Sequence, residues 1–258
     1  LVVSAGETGS QSWQPKNYDG KYDGPISLRT ALAKSKNMVS IRMLRSIGPR
    51  YAQDYVSRFG FDAARHPPYL TMALGAGSVT PWQMASAYAV FANGGYRVEP
   101  YVVSEITDSE GRVLARFTPR KAGDEGLRVI DARNAYLMDS MMQDVVRRGT
   151  ATRALALKRG DLAGKTGTTN DRRDAWFVGF NADVAAAAWI GEAPQTMRRN
   201  HSVVSVVPEE GGFDAWYARR RKAFPKYFKD KERSRRGLDG AFRAVEIEIG
   251  LHDHALLK

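Results

Sequence analysis

The run Gly164-Lys165-Thr166-Gly167-Thr168-Thr169 leads into a polar turn, Asn170 to Asp174, and then into Ala175-Trp176-Phe177-Val178-Gly179-Phe180. One reading of its opening is a phosphate-binding loop. That loop needs four residues between its first glycine and Gly-Lys-Thr, and it must open a helix whose amide N–H groups face the phosphate. Here Gly160-Asp161-Leu162-Ala163-Gly164 leaves only three, and the run opens onto a turn and an apolar strand pattern instead of a helix. Nucleotide binding fails both tests. The pattern after Gly164 is instead that of strands.

Working outward, a second strand is predicted from Val184 to Ile190, also rich in alanine and apolar residues. Upstream the period changes to that of helices. Ser27 is placed to cap a helix from Leu28 to about Lys36, and a second runs from Val39 to Ile47, stopped by Gly48-Pro49. Tyr51 to Phe59 makes a third, closed by Gly60. Thr80-Pro81 opens a fourth from Trp82 to Asn93, ended by Gly94-Gly95. Tyr101 to Thr107 and Arg112 to Phe117, around Asp108-Ser109-Glu110-Gly111, predict a β-hairpin. Ala132 to Arg148 reads as a long amphipathic helix ending at Gly149, while residues 1–25 read as loop. Helices first and antiparallel strands later predict an α+β fold with helices packed on a sheet. Trp176, Phe177 and Phe180 are expected in its core.

Composition narrows the chemistry. The chain has 258 residues, 43% hydrophobic and 26% charged, as in ordinary globular chains. It has no cysteine, so disulfides, thiol nucleophiles and sulfur-based zinc sites are excluded. His66, His201, His252 and His254 lack metal-ligand spacing apart from the terminal His252-x-His254, which reads as a tail, and neither a metal nor a cofactor is called for. Val184 to Ile190 is far short of the roughly 20 apolar residues of a membrane helix. The formal charge is +11, and Arg219 to Arg236 holds ten Lys/Arg against Asp230 and Glu232, a net +8 in 18 residues. Trp216, Tyr217, Phe224, Tyr227 and Phe228 are interleaved with that run, a pattern that suits polyanions or a plain solvated face. The rest of the chain carries only +3, which is no nucleic-acid footprint.

Ser35-Lys36-Asn37 falls at the junction of two predicted helices, 130 residues before Lys165. Three segments, Gly24 to Leu44, Ala73 to Gly95 and Gly164 to Phe180, resemble class A penicillin-binding proteins, in the family's order. The resemblance implies the transpeptidase domain of a bifunctional peptidoglycan synthase, with a penicillin-binding/β-lactamase-like fold. Such enzymes acylate a serine with D-Ala-D-Ala and pass the acyl group to an amine on a neighbouring strand; β-lactams acylate the same serine. Partners implied are peptidoglycan stem peptides and β-lactam antibiotics, at the periplasmic face of the bacterial inner membrane. The resemblance implies no nucleic-acid partner.

The same resemblance assigns roles residue by residue. Ser35 relays a proton and Asn37 binds the substrate backbone. Lys165 supplies positive charge for a substrate carboxylate, which the hydroxyls of Thr166 and Thr168 hydrogen-bond. Gly167 lets the backbone approach, and the Thr168 amide is half of an oxyanion hole. The nucleophile of the family lies in a Ser-x-x-Lys, and no serine here has a lysine three residues on. The expectation is a transpeptidase fold incomplete at its N-terminus, with that motif, the glycosyltransferase domain and the membrane anchor lying upstream of Leu1. This chain is therefore expected to be inactive alone. Residues 1–192 are read as a partial transpeptidase domain and 193–258 as a divergent basic segment. A non-enzymatic module binding nucleic acid or anionic lipid through that segment is the alternative.

Overall fold

In the computed structural model, the described residues are 1–169, 174–191, 200–207 and 243–248, the last two ranges as backbone strands only. Six α-helices precede the main sheet among them. They are α1 (Ala5–Thr8), α2 (Leu28–Ala33), α3 (Asn37–Ile47), α4 (Pro49–Val56), α5 (Pro81–Ala92) and α6 (Ala132–Arg148). A small hairpin, β1 (Glu105–Thr107) with β2 (Val113–Arg116), stands between α5 and α6. The main sheet consists of β3 (Ala163–Thr168), β4 (Asp174–Phe180), β5 (Ala185–Gly191), β6 (Asn200–Val207) and β7 (Arg243–Glu248). Its strands lie side by side in chain order, with β3 at one edge.

Local chemistry sets the helix ends. The Ser27 hydroxyl accepts from the Thr30 amide at the start of α2. Thr80 and Gln83 form a reciprocal capping box around Pro81 at the start of α5. Asp131 caps α6, and Arg147 and Arg148 sit in its last turn, where the helix dipole favours cations. Gly48, at a φ of 89°, separates α3 from α4 in a conformation that a side chain would strain.

Packing explains why α5 is so rich in alanine. Ala85, Ala89 and Ala92 recur on one face and meet Val178 and Phe180 of β4 and Ala185 and Ala187 of β5, all buried. The alanines of α5 and β5 let helix and sheet approach closely, and Phe180 fills the space beside them. Met142 of α6 and Ala163 of β3 complete this cluster. A second cluster, Val3, Ile41, Leu44, Ala52 and Leu70, holds the N-terminal segment against α3.

The expected architecture stands, with helices packed on a sheet that is antiparallel from β3 to β6. The structure adds detail in four places. Residues 1–25 include the one-turn helix α1, whose Ser4–Glu7 capping box explains its presence in a polar stretch. The first expected helix stops at Ala33, and α3 begins two residues earlier than its apolar pattern suggested. Ser57–Phe59 is a 3₁₀ turn continuing α4. Finally, β7 joins β6 in parallel. Phe180 is a core residue as expected, whereas Trp176 is half-buried against the same cluster and Phe177 is half-buried against Val145, Val146 and Ala151.

Candidate active site

The turn between α2 and α3 carries Ser35, Lys36 and Asn37. The Lys36 amide donates to the Ala31 carbonyl and the Ser35 amide to the Leu32 carbonyl, the paired bonds of a Schellman helix end. That motif places its penultimate residue in the left-handed region, where glycine is favoured. Ser35 occupies it, at a φ of 53°. A residue with a Cβ held there is strained, and the strain is explained by what its hydroxyl does.

Ser35 Oγ accepts from Lys165 Nζ at 2.8 Å. The same ammonium donates to the Thr166 carbonyl at 2.9 Å. Burial among these neutral partners pushes the Lys165 ammonium down to about 8. A lysine so placed changes charge close to neutral pH, and is suited both to attract a carboxylate and to exchange a proton with Ser35.

Lys165 to Thr168 lie on β3, the edge strand, opposite Val178, Phe177, Trp176 and Ala175 of β4. Gly164 has no room for a side chain, because a Cβ would sit 2.6 Å from the Val178 carbonyl oxygen. Thr168 is exposed and Thr166 half-buried. The Thr166 and Thr150 hydroxyl oxygens are 2.5 Å apart, and either can donate. Asn37 Nδ2 donates to the Lys16 carbonyl at 3.0 Å. The structure thus brings Ser35 and Lys165 into direct contact and sets the threonines beside them on the same strand.

Residues 3–199 match the family model described as "Penicillin binding protein transpeptidase domain". The chain belongs to that family. It is 60% identical over 188 residues to penicillin-binding protein 1A of Neisseria lactamica, covering 72% of this chain and 24% of that protein. Against penicillin-binding protein 1A of Pseudomonas aeruginosa the figures are 41% over 244 residues, 77% of this chain and 30% of the relative. Among solved structures, penicillin-binding protein 1A from Haemophilus influenzae superposes at a TM-score of 0.69 with 33% identity, covering 76% of this chain and 34% of that one. A penicillin G acyl-enzyme complex of penicillin-binding protein A from Mycobacterium tuberculosis shares the fold, at a TM-score of 0.54 and 21% identity, over 70% of this chain and 46% of that one. The chain spans about a quarter of the length of the curated relatives it matches.

Around this candidate site lies a support that reading by motif passes over. The Lys36 side chain is 4% exposed, and its ammonium is held by Asp19 at 2.7 Å and Asp23 at 2.5 Å. Asp19 is held below its ordinary carboxyl value, chiefly by the hydrogen bond from Lys36. Asn17 Oδ1 accepts from the Met38 amide, so a residue 21 positions away caps α3. Asn17 Nδ2 donates to the Lys21 carbonyl, which closes the loop on itself. Residues 16–23 therefore clamp the turn that strains Ser35. In sequence these residues form a tyrosine-rich polar loop, and Tyr18 and Tyr22 are indeed exposed. The sequence signal for it was no more than two aspartates, Asp19 and Asp23, in a loop upstream of Lys34 and Lys36.

The basic run from Arg219 to Arg236, on which the polyanion alternative rests, lies outside the described residues, as do Asn170 to Arg173. Among the described residues, no helix is long and apolar enough to cross a membrane.

Proposed function

We propose that this chain forms the substrate-facing part of a D,D-transpeptidase that cross-links peptidoglycan stem peptides through an acyl-serine intermediate, at the periplasmic face of the bacterial inner membrane. The observation that carries the reading is the 2.8 Å bond from Lys165 to Ser35 between the two family elements. Ser35 relays the proton between the attacking or leaving group and Lys165, and Lys165 in its charged form attracts the terminal carboxylate of the acyl donor. Thr166 and Thr168 hydrogen-bond that carboxylate. Asn37 Nδ2 gives one N–H to the Lys16 carbonyl and keeps a second, so its side-chain amide is held in place and still binds the substrate backbone. The Thr168 amide contributes to the oxyanion hole. Residues 1–192 are the transpeptidase part and residues 193–258 a divergent basic segment.

The nucleophile is a serine of a Ser-x-x-Lys that residues 1–258 do not contain. Its hydroxyl attacks the penultimate D-Ala carbonyl, expelling the last D-Ala, and an amine of a neighbouring strand then takes the acyl group. Without that serine the 258-residue chain forms no acyl-enzyme. Intact-mass analysis after incubation with a β-lactam tests this, comparing the chain with a protein in which it is preceded by a Ser-x-x-Lys segment. An adduct only on the longer protein is expected. Acylation of the 258-residue chain overturns its inactivity, and a folded longer protein that takes no adduct overturns the transpeptidase reading.

A further inference from the structure

Gly149 and Thr150 join the two halves of the site. The Thr150 amide donates to the Ala33 carbonyl at 3.1 Å, two residues before Ser35. A side chain at Gly149 would collide with that same carbonyl and would lie 2.8 Å from Val145 Cα, so the backbone here is pressed onto the end of α2. Arg29 fixes the other end of the contact, donating to the Ser140 carbonyl and to Asp144 of α6, each at 3.0 Å. The Thr150 hydroxyl therefore arrives at a fixed position. It meets Thr166 Oγ1 at 2.5 Å, one residue from Lys165.

We infer that Thr150 is a positioning residue for acyl-donor binding: it donates its hydroxyl proton to Thr166, which frees the Thr166 proton for the donor's carboxylate. A hydroxyl has one proton to give and two lone pairs to accept with. If Thr166 spent its proton on Thr150, it would present only lone pairs to an anion, which repel it. If Thr150 donates, Thr166 accepts on one side and donates on the other. The threonine pair then becomes a directed relay ending at the carboxylate. This rests on the transpeptidase reading above, with Thr166 as a carboxylate ligand.

The test uses the protein in which this chain is joined to its Ser-x-x-Lys segment, with Thr150→Val and Thr150→Ser. Valine keeps the shape without the hydroxyl, and the exposure of Thr150 lets it be accommodated. Second-order acylation rates are measured with a β-lactam bearing its free carboxylate and with its methyl ester. Thr150→Val leaves Thr166 its own proton but removes the neutral partner that holds it toward the carboxylate, so the free acid is expected to slow about fivefold and the ester to change less than about twofold. The loss should fall on affinity and not on the rate at saturation, and Thr150→Ser should restore it. Equal slowing of acid and ester, or no slowing of either, overturns the role of Thr150. Absence of any adduct on the unsubstituted protein overturns the transpeptidase reading instead.

Discussion

The Lys165 ammonium donates to the Ser35 hydroxyl at 2.8 Å, although 130 residues separate them in the chain. One end of this bond is an edge strand and the other is a helix end held in a strained conformation. Everything that fixes either end tunes the same proton and the same charge.

The titration of Lys165 gives a pH signature. Burial lowers its value from the ordinary 10.5 to about 8, so the ammonium form is progressively lost above that pH. Affinity for a carboxylate-bearing β-lactam should therefore fall as pH rises through about 8, and Lys165→Arg should flatten the profile because arginine stays charged. Stability runs the other way. Below about 8 the lysine is protonated folded or unfolded, and the penalty for burying its charge is fully present. Between about 8 and 10.5 the folded state gives up the proton first, so stability rises with pH there. Denaturant midpoints of the unsubstituted chain and Lys165→Met should accordingly converge as pH is raised. A constant gap between them would contradict the lowered value.

Ser35 should be a site where function and stability oppose each other. Its left-handed φ of 53° favours glycine. Ser35→Gly removes the strain and the hydroxyl together, while Ser35→Ala removes only the hydroxyl. Ser35→Gly is expected to be the more stable variant by about 1 kcal/mol, with both equally unable to support acylation in the longer protein. Urea unfolding of the two variants settles the ranking, and an alanine variant that equals or exceeds glycine would remove the case for stored strain.

The Lys36 clamp predicts an inverted order of severity. Removing both acids, Asp19→Asn with Asp23→Asn, leaves a buried ammonium without a counter-charge. Lys36→Met removes the charge that needs them, and both aspartates are open enough to be solvated. The double variant should therefore melt lower than Lys36→Met. The Asp19 contribution has its own pH limit. Its carboxyl is held below the usual value of 3.8, so the stability it adds is present above that pH and is lost as pH falls below it. Thermal unfolding between pH 3 and 7 reads both effects.

Much of this was legible in the chain itself. The boundaries of α6 follow directly from Asp131 and Gly149, and the capping residues Ser27 and Thr80 mark α2 and α5. The meeting of Ser35 with Lys165 followed from family resemblance, since no local pattern encodes a contact over 130 residues. What escaped was non-local. Asn17 caps a helix from 21 residues away, and its loop resembles any polar turn. Ser35's backbone conformation depends on how α2 ends against α6, which no propensity records. The strand β6 pairs with β5 in a region where the resemblance fades, so its valine pairs, Val203-Val204 and Val206-Val207, stood alone as a signal.

The close approach of α6 to α2 yields the last expectation. Gly149 has an ordinary negative φ of −112°, so its freedom from a side chain is a matter of space and not of backbone conformation. A Cβ there meets the Ala33 carbonyl and the Val145 backbone, neither of which is the movable tip of a side chain. Gly149→Ala should destabilise the chain by roughly 1–3 kcal/mol, the usual range for overpacking against rigid neighbours. Gly160→Ala, where nothing lies within 4 Å of the added carbon, should stay within about 0.5 kcal/mol. In the longer protein, Gly149→Ala should also slow β-lactam acylation, since any shift that relieves the clash moves Ala33 away from Thr150 and loosens Ser35 with it. Urea unfolding paired with acylation rates reads both consequences. A destabilised Gly149→Ala that acylates at the full rate would show that the helix end and the site are not mechanically joined.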